Sequence, residues 1–177
     1  MSQDSAAHLL LELCAGGEPA RAARQIVVTD AGTRAEVTRL LAGSITPSDH
    51  VLACWLLGIE TDALAAVGSG AIEALYTLIA LVARFADPRD ALLIWRARQA
   101  TPGTQAGMDV EQMARLGLDG VRRYLTRLHD ANGPEASEAR AALAWLDEGE
   151  RDGAFADLAG YFAWSDERFG VTVSGPT

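Results

Sequence analysis

Arg96 and Arg98 stand in an otherwise apolar run, Ala91 to Ala100, which leads directly into a threonine, proline and glycine loop carrying Thr101 and Gln105. Guanidinium groups beside hydroxyl and amide side chains are the donors that hold an oxyanion or a phosphate. Arg96, Arg98, Thr101 and Gln105 are therefore the candidate anion or ligand site. The same arginines also suit the last turn of a helix, where cations complement the carbonyl end of the dipole. In a helix buried on most sides their charges need carboxylates, and Arg98 has a second option against the ring of Trp95. Pairing with protein carboxylates is the expectation.

The acidic run Asp147, Glu148, Glu150, Asp152 and Asp157 carries oxygen ligands, with Gly149 and Gly153 available for turns. Its spacing is not that of an EF-hand loop. It is read as a partner surface that meets a basic protein. His50 and Cys54 lie four residues apart on one helical face, as do His8 and Glu12. Two ligands do not make a metal site, and neither CxxC nor HExxH accompanies them. Cys14 and Cys54 are expected to be packed, free thiols, and His50 to face solvent. No G-x-S-x-G elbow is present, and the glycines of VGSGAI (67–72) follow no strand, so they form no dinucleotide fingerprint. No catalytic residue, cofactor or metal is assigned.

Composition narrows the function classes. The chain has 177 residues and a net charge of −9, and all 15 of its basic residues are arginine. A phosphate backbone or an anionic bilayer calls for a basic footprint, so the balance argues against nucleic acid and membrane partners. Charge is unevenly spread: residues 1–83 carry a net of −5, residues 84–127 a net of +3 with eight arginines, and residues 128–177 a net of −7. The expectation is that the basic middle docks against the acidic ends, with Asp119 and Arg123 forming a further pair within one helix. A groove of Arg115, Arg122, Arg123 and Arg127 that binds nucleic acid is the minor alternative. The start lacks the basic region of a signal peptide, and no apolar run is long enough to span a bilayer. A cytoplasmic protein is expected.

The elements that must position these residues read as helices throughout. Glycine and proline fall at their ends, as at Gly16, Gly43, Asp87-Pro88 and Asn132-Gly133-Pro134. The segment Ala71–Phe85 has only a narrow wet stripe of Glu73, Thr77, Ala80 and Arg84, so it should be the most buried helix. Thr61 or Asp62 is read as capping a short turn, Thr101–Gly107 as a loop, and Asp109 with Gln112 as a capping box. Leu118, Val121, Tyr124, Leu125 and Leu128 share the inward face of one late helix. Leu143 and Leu146 point inward from the next, and Phe155, Leu158 and Phe162 from the last.

The pattern gives an all-α domain of about nine helices, residues 1–170, with a loose tail at 171–177. Two segments, Asp87–Ala97 and Leu118–Leu128, place an aspartate before an arginine ahead of an apolar helical run. In this they resemble the inner helices of HEAT-like repeat proteins. The resemblance implies a short right-handed stack of helix pairs as the alternative to a compact helical domain. The functional expectation is a non-catalytic, acidic interaction module for a basic protein, by analogy with the small acidic immunity proteins of bacteria. Homo-oligomerisation is left open. The alternative is an anion-binding protein or enzyme using Arg96, Arg98 and the Thr101–Gln105 loop.

Overall fold

Local punctuation decides most helix boundaries in the structure, a computed structural model that describes residues 3–15, 17–67 and 71–172. The glycines and serine of VGSGAI, the stop at Gly16 and residues 173–177 of the tail fall outside the described residues. Among those described, the chain is all-α: α1 (Gln3–Ala15), α2 (Gly17–Thr29), α3 (Ala31–Ala42), α4 (His50–Val67), α5 (Ile72–Arg84), α6 (Ala91–Gln99), α7 (Pro102–Gly107), α8 (Glu111–Ala114), α9 (Leu118–Asp130), α10 (Ala136–Arg151) and α11 (Leu158–Phe169). Two 3-10 turns, Pro47–Asp49 and Pro88–Asp90, lead into α4 and α6. Both begin with proline at the first helical position, where its missing N–H costs nothing.

α5 is the centre. Eight of its residues are buried, and α3, α4, α6, α8 and α11 all pack on it. Its expected wet stripe is narrower than the sequence implies: Ala80 is wholly buried, since α5 is covered on more than one side. α9 and α10 form a hairpin turned at Asn132, which takes a left-handed conformation (φ 53°) that asparagine tolerates. Val121 and Leu125 of α9 are buried with Leu146 of α10, while Leu118, Tyr124, Leu128 and Leu143 are half-buried against the same core.

The chain end closes the body. α11 packs on α5, Val171 is buried, and Thr172 exchanges backbone hydrogen bonds with Ala42 and Ile45. Contacts between parts so distant in sequence differ from a HEAT-like stack, in which each repeat meets only its neighbours. The chain is a compact helical domain, and the expected loose tail is tied down at its first two residues.

Several local expectations are corrected. Thr61 does not cap a turn: its hydroxyl donates to the Leu57 carbonyl (2.7 Å), a bond made inside the continuous helix α4. Thr101–Gly107 is not a loop, because Thr101 and Thr104 form a reciprocal cap that starts α7. The capping box at Asp109 and Gln112 is absent; both side chains turn instead toward α11. Cys14 is exposed and Cys54 half-buried, and both sulfurs face carboxylates. Phe155, Leu158 and Phe162 are only half-buried, since α11 lies on the surface with Ser165 as its buried residue.

The charge partition resolves as internal pairing on the C-terminal side. Arg84 of α5 bonds Asp166, and Arg115 grips the same carboxylate with two nitrogens (2.7 and 2.8 Å). Arg122 of α9 bonds Asp147 and Glu150 of α10. Asp119 and Arg123 make no ion pair among the described residues. A different pair is the deepest: Arg34 of α3 donates from Nε to Glu60 of α4 at 2.5 Å, with both side chains almost fully buried. Arg34 also donates to the Val27 and Val28 carbonyls at the end of α2.

Candidate cation-accepting site

The four residues of the expected anion site are all engaged, and separately. Arg96 donates to Glu138 and Glu135 (2.8 Å each), which ties the end of α6 to the start of α10. Thr101 caps α7, and Gln105 donates to Gln99 (2.6 Å). Arg98 departs from the expected carboxylate pairing: its guanidinium lies 4.4 Å from the Trp145 ring centroid and 5.3 Å from that of Trp95. Its Nε is buried without a partner, and burial lowers its pKa against the opposing pull of Glu148. Arg98→Met keeps the stem and removes that N–H, so it is expected to change stability by less than about 1 kcal/mol. Arg98→Ala strips the guanidinium and its stem from the paired Trp95 and Trp145 rings and should cost about 2–3 kcal/mol in a urea melt.

Arginines converge elsewhere, in an open groove of about 720 Å³ between the Pro88–Asp90 turn and α9. Arg89, Arg122, Arg123 and Arg127 line it. Arg122 is already held by its two carboxylates and Arg89 by Asp87, which leaves Arg123 and Arg127 exposed to solvent. Asp87 accepts from the Arg89 guanidinium and backbone N–H, and these bonds outweigh partial burial to hold its carboxyl down to about 2. Its folded pKa lies below the unfolded value of about 3.9. The stability it contributes is therefore fully present above about pH 4 and lost as pH falls toward 2. Asp87→Asn is expected to lower the melting temperature near neutral pH and to flatten its fall across that acid window.

The acid-and-aromatic pocket at the base of α11 is built differently. Tyr76 and Ile79 of α5, Asp109 and Gln112 around α8, and Tyr161, Trp164 and Phe169 of α11 enclose about 160 Å³. Tyr161 and Trp164 are three residues apart, hence on one helical face, with ring centroids separated by 5.6 Å. Tyr76 lies tilted against Phe169 at 6.2 Å. Gly107 is required here: a Cβ at that position would sit 2.5 Å from the Tyr76 hydroxyl.

A hydrogen-bond chain fixes the polar wall. Tyr161 donates to Asp109 (3.1 Å), and Gln112 donates from Nε2 to Ser165 (2.6 Å) and to the Tyr161 oxygen (3.3 Å). Gln112 is 3% exposed, and its Oε1, an acceptor, is buried with no partner among the described residues. Burial and the Asp109 carboxylate push the Tyr161 phenol well above its usual range. Burial also raises the Glu111 carboxyl, and Asp109 adds to the shift. The pocket thus presents π faces and the Asp109 carboxylate, both of which attract a cation. Arg168 lies at the rim, 5.9 Å from the Phe169 ring.

The expected acidic surface runs from the end of α10 to the start of α11. Val110, between Asp109 and Glu111, packs on Gly149, where a Cβ would approach within 2.5 Å. Asp147, Glu148, Glu150, Asp152 and Asp157 are all exposed. Asp147 and Glu150 bond Arg122, and Asp157 caps α11 by accepting from Gly160. Sequence reasoning missed Asp109, Gln112, Tyr161 and Trp164 as a group. The available signal was the helical spacing of Asp157, Tyr161 and Trp164, which puts an acid and two aromatics on one face. Set against known protein families, curated proteins and solved structures, the chain matches none of them.

Proposed function

We propose that this chain is a non-catalytic helical interaction module that takes a cationic side chain of a basic protein partner into the pocket formed by α5, α8 and α11. The observation that supports it is the Asp109 carboxylate set among the Tyr76, Tyr161, Trp164 and Phe169 rings in one pocket. A carboxylate beside aromatic faces attracts an ammonium or guanidinium group through its charge and the ring quadrupoles. The size favours a side-chain tip, since about 160 Å³ falls below the roughly 300–1,000 Å³ of small-molecule sites. The net charge of −9 and the exposed acidic run favour attraction of a basic surface. The Cys54 thiol is poorly suited to nucleophilic chemistry. Its hydrogen-bond partner is the Asp90 carboxylate, and burial with that negative charge pushes its pKa up to about 12.

The test is titration of the purified chain with arginine-rich and lysine-rich peptides, following intrinsic tryptophan fluorescence, with Trp164→Phe identifying the part of the response that comes from the pocket. Saturable binding that weakens with salt is expected, with neutral peptides inert. Equal response to neutral peptides, or no response at low salt, overturns the reading. A second reading, anion binding, is favoured by Arg123 and Arg127 in the α9 groove. Saturable binding of inorganic phosphate or polyphosphate, lost in Arg123→Ala/Arg127→Ala, would select it.

A further inference from the structure

Independently of the pocket, the start of α4 and the start of α6 bring three donors of different chemistry to one point. His50 and Cys54 lie one turn apart on α4. Asp90 precedes α6 as its N-cap residue but makes no capping bond with its side chain. Its carboxylate instead turns outward from its own helix: Oδ2 is 2.7 Å from His50 Nε2 and Oδ1 is 3.6 Å from Cys54 Sγ. One ligand atom from each residue lies within 4.8 Å of the others, and all three residues are half-buried. The His50 ring is stacked on Phe85 at 4.6 Å, which holds its plane in place.

We infer that His50, Cys54 and Asp90 form a binding site for a borderline divalent metal ion of the zinc class. Bond lengths of 2.0–2.3 Å to nitrogen, oxygen and sulfur require ligand atoms roughly 3.3–3.8 Å apart in a tetrahedron. The observed separations, 2.7 and 3.6 Å with no pair beyond 4.8 Å, lie within about an ångström of those values. The donor set also fits the charge. A thiolate and a carboxylate neutralise a divalent ion, neutral imidazole completes the protein ligands, and water fills the fourth position. Calcium and magnesium, which take all-oxygen shells, are disfavoured by the sulfur and nitrogen donors. On binding, the metal–sulfur bond replaces the Cys54 S–H bond and the proton leaves to solvent. The ion would bridge α4 to the first turn of α6.

Cobalt(II) added to the purified full-length chain is the probe, because a cobalt–thiolate bond gives a near-ultraviolet charge-transfer band and a tetrahedral ion gives intense visible bands. One equivalent per chain should produce both, and one equivalent of zinc should bleach them. Cys14→Ser should leave the spectrum intact, and Cys54→Ser should abolish the charge-transfer band. His50→Gln and Asp90→Asn should each weaken cobalt binding by at least about tenfold. Far-ultraviolet circular dichroism of each metal-free variant confirms its fold, and His50→Gln decides the matter if Cys54→Ser fails to fold. A wild-type spectrum without the thiolate band, a band that persists in Cys54→Ser, or unchanged affinity in His50→Gln overturns the site.

Discussion

Replacing Glu60 with alanine is expected to destabilise the fold by about 3–5 kcal/mol, a large share of the stability of an ordinary domain. Glu60 is wholly buried in α4, and its loss strands the Arg34 guanidinium, itself 4% exposed, without a counter-charge. The two backbone bonds from Arg34 to the end of α2 do not replace that charge. The pair is not a net source of stability, however. Glu60 Oε1 has no partner, so part of the cost of burying the carboxylate is uncompensated. The double variant Arg34→Met/Glu60→Leu should therefore recover most of the loss. A urea-melt double-mutant cycle separates the coupling from the single effects. A Glu60→Ala loss below about 1 kcal/mol would mean that water reaches the pair.

Binding of a cationic peptide should fall by about thirtyfold in Trp164→Ala, the magnitude of a typical aromatic hot spot. Trp164 is 51% exposed at the pocket rim, so its removal should leave the melting temperature almost unchanged. Asp109→Asn retains an oxygen that can accept from Tyr161 but deletes the charge, and a loss of at least about tenfold is expected. Arg168→Ala removes the cation at the rim and should tighten binding two- to fivefold, roughly the worth of an exposed charge contact. Isothermal titration at two salt concentrations reads all three. If Asp147→Asn/Glu150→Gln weakens binding as much as Asp109→Asn, diffuse acidity and not the pocket carries the affinity.

Most helices were legible because they rest on local signals such as proline at a first helical position and asparagine at a left-handed stop, but α7 was read as a loop and the continuity of α4 past Thr61 was missed. The charge partition was legible too, because a basic middle and an acidic end in one domain have few other ways to neutralise each other. What sequence spacing misses is side-chain choice between competing partners. Asp109 and Gln112 have the spacing of a capping box, yet their side chains reach Tyr161 and Ser165, about 50 positions away. His50 and Cys54 showed two ligands, while Asp90, 36 residues beyond Cys54, arrives only when α6 packs on α4. Arg98 took an indole where a carboxylate was expected, since two tryptophans from different helices flank it. Glu60 did leave a trace: an acid deep within an eighteen-residue apolar helix needs a buried partner, and Arg34 is that partner.

The closure of α11 on α5, fastened by Asp166 between Arg84 and Arg115, bears on how the chain is made. Synthesis delivers α5 long before α11, so the most buried helix has one side uncovered until α11 has been made. During that interval Arg84 and Arg115 lack their shared anion and apolar residues of α5 meet solvent. α11 is thus the latch of the fold, and a chain made without it would leave an apolar side of α5 open to association.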